Sequence, residues 1–191
     1  VTEKNSDAPF KRTLVWQHNK EPAIVTIKDN YFLICSPLNN QGTLDWMLYK
    51  SPYSIRELFS GSSYLLTDPV VPALLRFNDQ LYILYVGTES DSIECFPVHP
   101  FWKESVPGDY KIMPDDRVIL KSSTRHRIAA VVFNGKLYCV HVKKTGTDDS
   151  LCCMSSDDGK TWTDPVILPG DGANEGPSLA VYTSPTGPRL Y

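Results

Sequence analysis

Apolar residues in this chain fall in short runs broken by turn residues, and one succession of runs returns four times. PAIVTIKDNYF from Pro22, PALLRFNDQLY from Pro72, IAAVVFNGKLY from Ile128 and PSLAVYTSPTGPRLY from Pro177 share a plan. Each has an apolar run, a turn of Asn, Asp or Gly in the first three, and a second apolar-aromatic run. The period is about fifty residues, on the scale of known repeat architectures. Asn134-Gly135 is a favoured two-residue hairpin pair, and Asn78-Asp79 stands at the same point of the preceding copy.

A third run follows in each full copy: TLDWMLYKS from Thr43, SIECFPV from Ser92 and SLCCMSS from Ser150. Weaker fourth runs, IRELFS, DRVILKS and DPVILPG, close them. No stretch shows helical periodicity, so each copy reads as four short strands. The predicted fold is all-β: a β-propeller of four-stranded antiparallel blades, with about three and a half blades in this chain. The expected division is a single partial propeller over residues 1–191, with blades at 21–66, 71–121 and 127–169 and the start of a fourth at 175–191. The Gly-His and Trp-Asp signatures of WD40 repeats are absent. A propeller closes with roughly four to eight blades. The chain is therefore expected to be a piece of a longer protein, or to be completed by another chain or a missing segment. RTLVWQ, Arg12 to Gln17, is a candidate outer strand or ring latch.

Charge and composition narrow the partners. A net charge of -3 with no basic stripe argues against nucleic acid. No apolar run is long enough to cross a bilayer. The polar N-terminal stretch VTEKNSDAPFKR is not a secretory signal. The chain has five cysteines, Cys35, Cys95, Cys139, Cys152 and Cys153, set inside apolar runs without C-x-x-C pairs or a histidine at metal-ligand spacing. They read as buried small hydrophobes, and neither metal nor cofactor is expected.

The sharpest local signal is SSDDGKTW, Ser155 to Trp162. Ser155, Asp157, Gly159, Thr161 and Trp162 fill the five fixed positions of the Asp-box, the bacterial neuraminidase repeat. The stretch from Arg127 to about Pro169 resembles a blade of a sialidase. The motif needs no catalysis to account for it. Gly159 permits a positive φ, and Asp157 can accept backbone N–H bonds, with Ser155 and Thr161 closing the turn. Trp162 can fold over the hairpin. In the second repeat, Trp102 is a candidate for the same tryptophan place.

The resemblance implies further chemistry. Sialidases hold a sugar carboxylate with three arginines, whose guanidinium forks match it bidentately. A glutamate-activated tyrosine is the nucleophile, and an aspartate serves as acid and base. Arg127-Ile128-Ala129 is the nearest equivalent of the first arginine motif, with alanine in place of proline. Asp148 and Asp149 stand where the family has its acid, expected in the loop between second and third strands, with Lys143 or Lys144 nearby. Glu175 and Arg189, in NEGPSLAVYTSPTGPRLY, occupy a setting similar to a later blade's glutamate and arginine. Arg127, Asp149 and Glu175 are thus the catalytic candidates, and these with Arg189 the carbohydrate-binding ones. Each has a plainer reading as a solvated charge or hairpin residue.

Three functions stay open. The chain can be the glycan- or glycoconjugate-binding part of a sialidase-like, lectin-type propeller, not catalytic alone. It can be part of an exo-α-sialidase or other glycosidase domain. It can also be a protein-interaction propeller. Trp16, Trp46 and Tyr53 are candidates for stacking on sugars. The resemblance implies a secreted or cell-surface setting, while the unpaired cysteines leave an intracellular one open.

Overall fold

The structure, a computed structural model, describes residues 23–26, 31–37, 44–50, 57–63, 72–87, 91–103, 106–112, 116–145, 148–170 and 172–191. Among them the regular structure is β. A first sheet holds β1 (Ala23–Thr26), β2 (Tyr31–Pro37), β3 (Leu44–Lys50) and β4 (Glu57–Ser63) in chain order. A second is built on β5 (Ala73–Phe77), β6 (Gln80–Val86) and β7 (Ser92–Lys103). β7 is long enough to carry two outer partners, β8 (Val106–Ile112) and β9 (Val118–Ser123). A third sheet runs β10 (Ala129–Phe133), β11 (Lys136–Thr145), β12 (Asp148–Ser156) and β13 (Val166–Ile167). A hairpin of β14 (Val181–Ser184) and β15 (Gly187–Leu190) follows. All these pairings are antiparallel.

The four runs of each copy thus become the four strands of a blade, with one addition. In the second blade the fourth run is β9, which pairs with the first half of β7, from Ser92 to Cys95. The second half of β7, from Val98 to Lys103, instead pairs with β8 in an inserted hairpin. Trp102 lies on this extension opposite Pro107, inside a strand and not after a tight turn as Trp162 does.

The first strands of successive blades lie side by side, β1 by β5 and β5 by β10. Between the second and third blades lies one continuous core. Leu75, Phe77, Tyr82, Leu84, Val86, Ile93, Cys95 and Leu120 face Ile128, Leu137, Cys139 and Met154 across it. On β6 the alternate set, Ile83 and Tyr85, is also buried, as are Phe96 and Val98 on β7. Both faces of the central strands are covered, which is why QLYILYV is a continuous apolar run. Each such side chain contributes about 2 kcal/mol on leaving water.

The cysteines follow the same rule. Cys95, Cys139 and Cys152 are free thiols buried in the sheets, and Cys153 is half-buried. Burial pushes the Cys95 thiol up to about 12, so it stays protonated and packs as a small apolar group.

Antiparallel order divides each blade into two ends. One end carries the tight hairpins, where Asn78, Asp79 and Asn134 adopt φ of +48°, +59° and +48°, and Gly135 +72°. These left-handed pairs fit a two-residue turn between twisted strands. The SSDDGKTW turn lies at this end too, after β12. The opposite end gathers the starts of the first strands, the ends of the second and the starts of the third.

Candidate functional site

The octamer turn is closed by side chains one position later than the motif spacing assigns. Ser156 Oγ accepts from the Gly159 N–H at 2.8 Å. Asp158 Oδ1 accepts from the N–H groups of Thr161 at 2.7 Å and Lys160 at 2.8 Å. Asp157 instead points outward to Lys136 Nζ, 3.0 Å away. The reason is geometric. An Asx turn bonds main-chain groups two and three residues on, and only Asp158 stands at that distance from the donors Lys160 and Thr161. Ser155 contributes through its main chain, its N–H donating to Thr163 Oγ1 at 3.0 Å and its carbonyl accepting from the Thr163 N–H at 2.9 Å. Thr161 Oγ1 donates to Asp158 at 3.2 Å, and Trp162 Nε1 donates to the Gly159 carbonyl at 3.3 Å. The donors of Thr161 and then Lys160 hold the Asp158 carboxyl down at about 2.

This turn also joins blades. Tyr82 Oη donates to the Asp158 carbonyl at 3.1 Å, and Cys95 Sγ lies 3.7 Å from the Gly159 carbonyl. Lys121 on β9 pairs with Asp164 at 3.2 Å. Gly159, at φ +74°, sits so close to the Tyr82 ring that a Cβ there would overlap it. The octamer fastens the third blade to the second.

The opposite end brings three of the sequence candidates together. Arg127 lies just before β10, Asp149 on β12 opposite Lys144, and Glu175 in the segment leading to β14. Asp148 and Asp149 are paired strand residues, not part of the loop expected there. The 172–178 segment lies across the ends of β10 and β12. Its Ala173 N–H donates to the Asp149 carbonyl at 2.9 Å, and a Cβ on Gly176 would fall 2.8 Å from the Arg127 nitrogen. Glu175, exposed, precedes that contact. Arg127 Nη2 donates to Ser178 Oγ at 3.0 Å, and His126 Nε2 lies 3.9 Å from Asp149 Oδ2. Two carboxylates, a guanidinium and an imidazole from three segments therefore share this end.

Arg189 is not brought into the group. It pairs with Tyr182 across the β14–β15 hairpin, and its Nη2 reaches back to Thr186 Oγ1 at 3.2 Å. Among the stacking candidates, Trp46 lies on β3 opposite Cys35 and Gly61. Trp16 and Tyr53, like the RTLVWQ segment, lie outside the described residues.

Sequence patterns missed the groups around this end. Glu94, nearly buried, accepts from the Tyr85 hydroxyl and from Ser92 Oγ at 3.2 Å, with Arg117 Nη1 at 3.6 Å. Burial first, then the Glu94 bond, drives the Tyr85 hydroxyl above its ordinary range, so it stays protonated as the donor to Glu94. Asp91 takes φ +53° and bonds Arg125 Nε at 2.7 Å. His141, fully buried between blades, lies 2.6 Å from Ser122 Oγ through Nε2. Its Nδ1 is the one buried side-chain nitrogen or oxygen without a partner among the described residues. Burial, and secondarily Lys143, lowers its pKa to about 4.

No family model matches the chain, and no curated protein does. Solved structures do. An α-L-arabinanase of Penicillium chrysogenum complexed with arabinobiose superposes with a TM-score of 0.59 at 11% identity, over 90% of this chain and 56% of its own. An α-L-arabinofuranosidase of Lactobacillus brevis gives 0.51 at 13%, over 78% and 53%. An α-L-arabinofuranosidase of Podospora anserina in complex with cellotriose gives 0.51 at 13%, over 95% and 61%. The chain spans little more than half the length of these structures. At such identity the likeness is one of fold: the chain is a portion of a β-propeller built from four-stranded antiparallel blades. These neighbours are not sialidases, so the likeness to sialidases implied by the octamer holds at the level of the fold.

Proposed function

We propose that this chain is the glycan-binding part of a carbohydrate-active β-propeller, with its sugar site at the blade end that carries Arg127, Asp149 and Glu175. The observation that carries this reading is their convergence, from three separate segments, on the end of the blades opposite the structural turn. In this reading residues 1–191 form one partial propeller, with blades at 21–66, 71–121 and 127–169 and a fourth beginning at 175–191. A further segment or another chain completes the ring.

The chemistry suits a sugar. Carboxylates accept pairs of hydroxyl protons, and a guanidinium donates to ring and hydroxyl oxygens in a fixed fork. Two carboxylates flanking a glycosidic bond are also the basis of glycoside hydrolysis. A second reading, part of a glycosidase domain, follows from Asp149 and Glu175 sharing this end and from the neighbours being glycosidases. The chain alone is not expected to turn over substrate. Neutral pentose or glucose oligosaccharides of the kind bound by the neighbours are favoured over sialosides. A sialoside clamp needs several arginines, and Arg117, Arg125 and Arg189 are engaged elsewhere.

Calorimetric titration of the 191-residue chain with arabinobiose, cellotriose and sialyllactose tests the proposal. Binding of a neutral sugar, weakened by Arg127→Ala and Glu175→Gln, is expected. Absence of binding to all three overturns the glycan reading in favour of a protein-interaction propeller.

A further inference from the structure

Two aspartates in the second blade share an uncommon backbone conformation and an arginine partner, but stand at opposite ends. Asp79, at φ +59°, sits in the β5–β6 hairpin and pairs with Arg76 three residues before it. Left-handed backbone is what a two-residue hairpin requires, so Asp79 needs no further account. Asp91, at φ +53°, sits where the chain enters β7. Its partner Arg125 is 34 residues away, on the connector between the second and third blades. Asp91 closes the loop between β6 and β7, whose flanking residues Val86 and Ile93 are paired, and what distinguishes it from Asp79 is the distance of its partner.

What surrounds Asp91 is a relay of bonds towards the candidate site. Its carbonyl accepts from the Thr124 N–H at 2.8 Å, while Oδ2 accepts from Arg125 Nε at 2.7 Å. The Thr124 side chain, buried at 5% exposure, accepts from the His126 N–H at 3.1 Å. The next residue is Arg127. On the other side, the turn before β7 is closed by Gly87 N–H donating to the Ser92 carbonyl at 2.8 Å. Ser92 Oγ in turn donates to the nearly buried Glu94. The 124–127 connector is thus tied by main chain and side chain to a turn rooted in the core of the second blade.

We propose that Asp91 is a positioning residue: it clamps the 124–127 connector so that His126 and Arg127 are held against Asp149 and the 172–178 segment. Its role in recognition rests on the glycan reading above, and it acts through Arg127 without touching the sugar. An exposed aspartate–arginine pair is worth little as a stabiliser. Removing it therefore changes where the connector sits more than whether the protein folds.

The test compares Asp91→Gly, Arg125→Ala, Arg127→Ala and the Asp91→Gly/Arg127→Ala double variant, with Asp79→Gly as the matched control. Glycine keeps the left-handed backbone accessible, so loss of the side chain is isolated from strain. Arabinobiose and cellotriose affinity, thermal midpoint and amide hydrogen exchange of the peptide containing 124–127 are measured on each full chain. Asp91→Gly and Arg125→Ala are expected to weaken sugar binding by about threefold, within what such a pair supplies. The midpoint should stay near the parent's, and 124–127 should exchange faster. In the double variant the two losses should not add, because Asp91 acts through Arg127. Asp79→Gly should alter neither affinity nor 124–127 exchange. Additive losses overturn the positioning role, as does unchanged 124–127 exchange in Asp91→Gly. If neither sugar binds the parent chain, the glycan reading fails, and exchange alone still decides whether Asp91 holds the connector.

Discussion

The hydroxyl of Tyr82 reaches across 76 positions of sequence to donate a hydrogen bond to the main-chain carbonyl of Asp158. This bond ties the second strand of one blade to the turn between third and fourth strands of the next. Tyr82→Phe keeps the ring and removes the donor, leaving a half-buried carbonyl without it. The expected cost is about 1 kcal/mol, read as a lower urea midpoint with an unchanged slope.

The two adjacent aspartates of the octamer should behave differently. Asp158 accepts two backbone N–H bonds, whereas Asp157 makes an exposed ion pair with Lys136. Asp158→Ala should cost about 1 kcal/mol, and Asp157→Ala less than about 0.5 kcal/mol. The Asp158 carboxyl is depressed from 3.8 to about 2. Its contribution is therefore present above pH 3.8 and is lost as pH falls through 2. Equal losses for the two alanine variants in urea titrations would show that the turn is closed differently.

Gly159 and Gly135 offer a matched pair, with φ of +74° and +72°. A Cβ at Gly135 meets nothing within 4 Å, whereas one at Gly159 overlaps the Tyr82 ring. Gly135→Ala should cost about 1 to 2 kcal/mol from backbone conformation alone. Gly159→Ala adds overpacking at the seam and should cost about 3 kcal/mol in all. Differential scanning calorimetry of both variants separates the two contributions.

His141 sets an acid limb on stability. Its folded pKa, about 4, lies below the ordinary 6.5 because burial disfavours the cation, with Lys143 adding to the effect. A depressed histidine contributes fully above pH 6.5, and its contribution drains away as pH falls from there towards 4. The loss across this window is on the order of 3 kcal/mol. Unfolding free energies measured between pH 7 and 4 should show this slope in the parent chain, and His141→Leu should flatten it.

Much of the fold was readable because its causes are local. Asn78-Asp79 and Asn134-Gly135 mark hairpins by backbone preference, and continuous apolar runs mark strands buried on both faces. The insertion of β8 was not readable. PFWKESVPGDYKI carries prolines and no alternation, and only the reach of β7 beyond β9 makes it a strand pair. The octamer's register was ambiguous for a related reason. Doubled serines and doubled aspartates satisfy the motif either way, and only the direction of the Lys160 and Thr161 donors selects Ser156 and Asp158. Arg127, Asp149 and Glu175 became candidates only through likeness to a sialidase blade. Asp91 and Arg125 were not, since a pairing between distant loops leaves no periodic trace.

The inter-blade fastenings at the octamer lie at the pole away from Arg127. Exchange of Glu175 or Ser178 therefore leaves the rivets through Tyr82, Gly159 and Lys121 untouched. Under the glycan reading such a scaffold can change what it binds without loosening what holds it, and a series of variants altered at that pole should melt together.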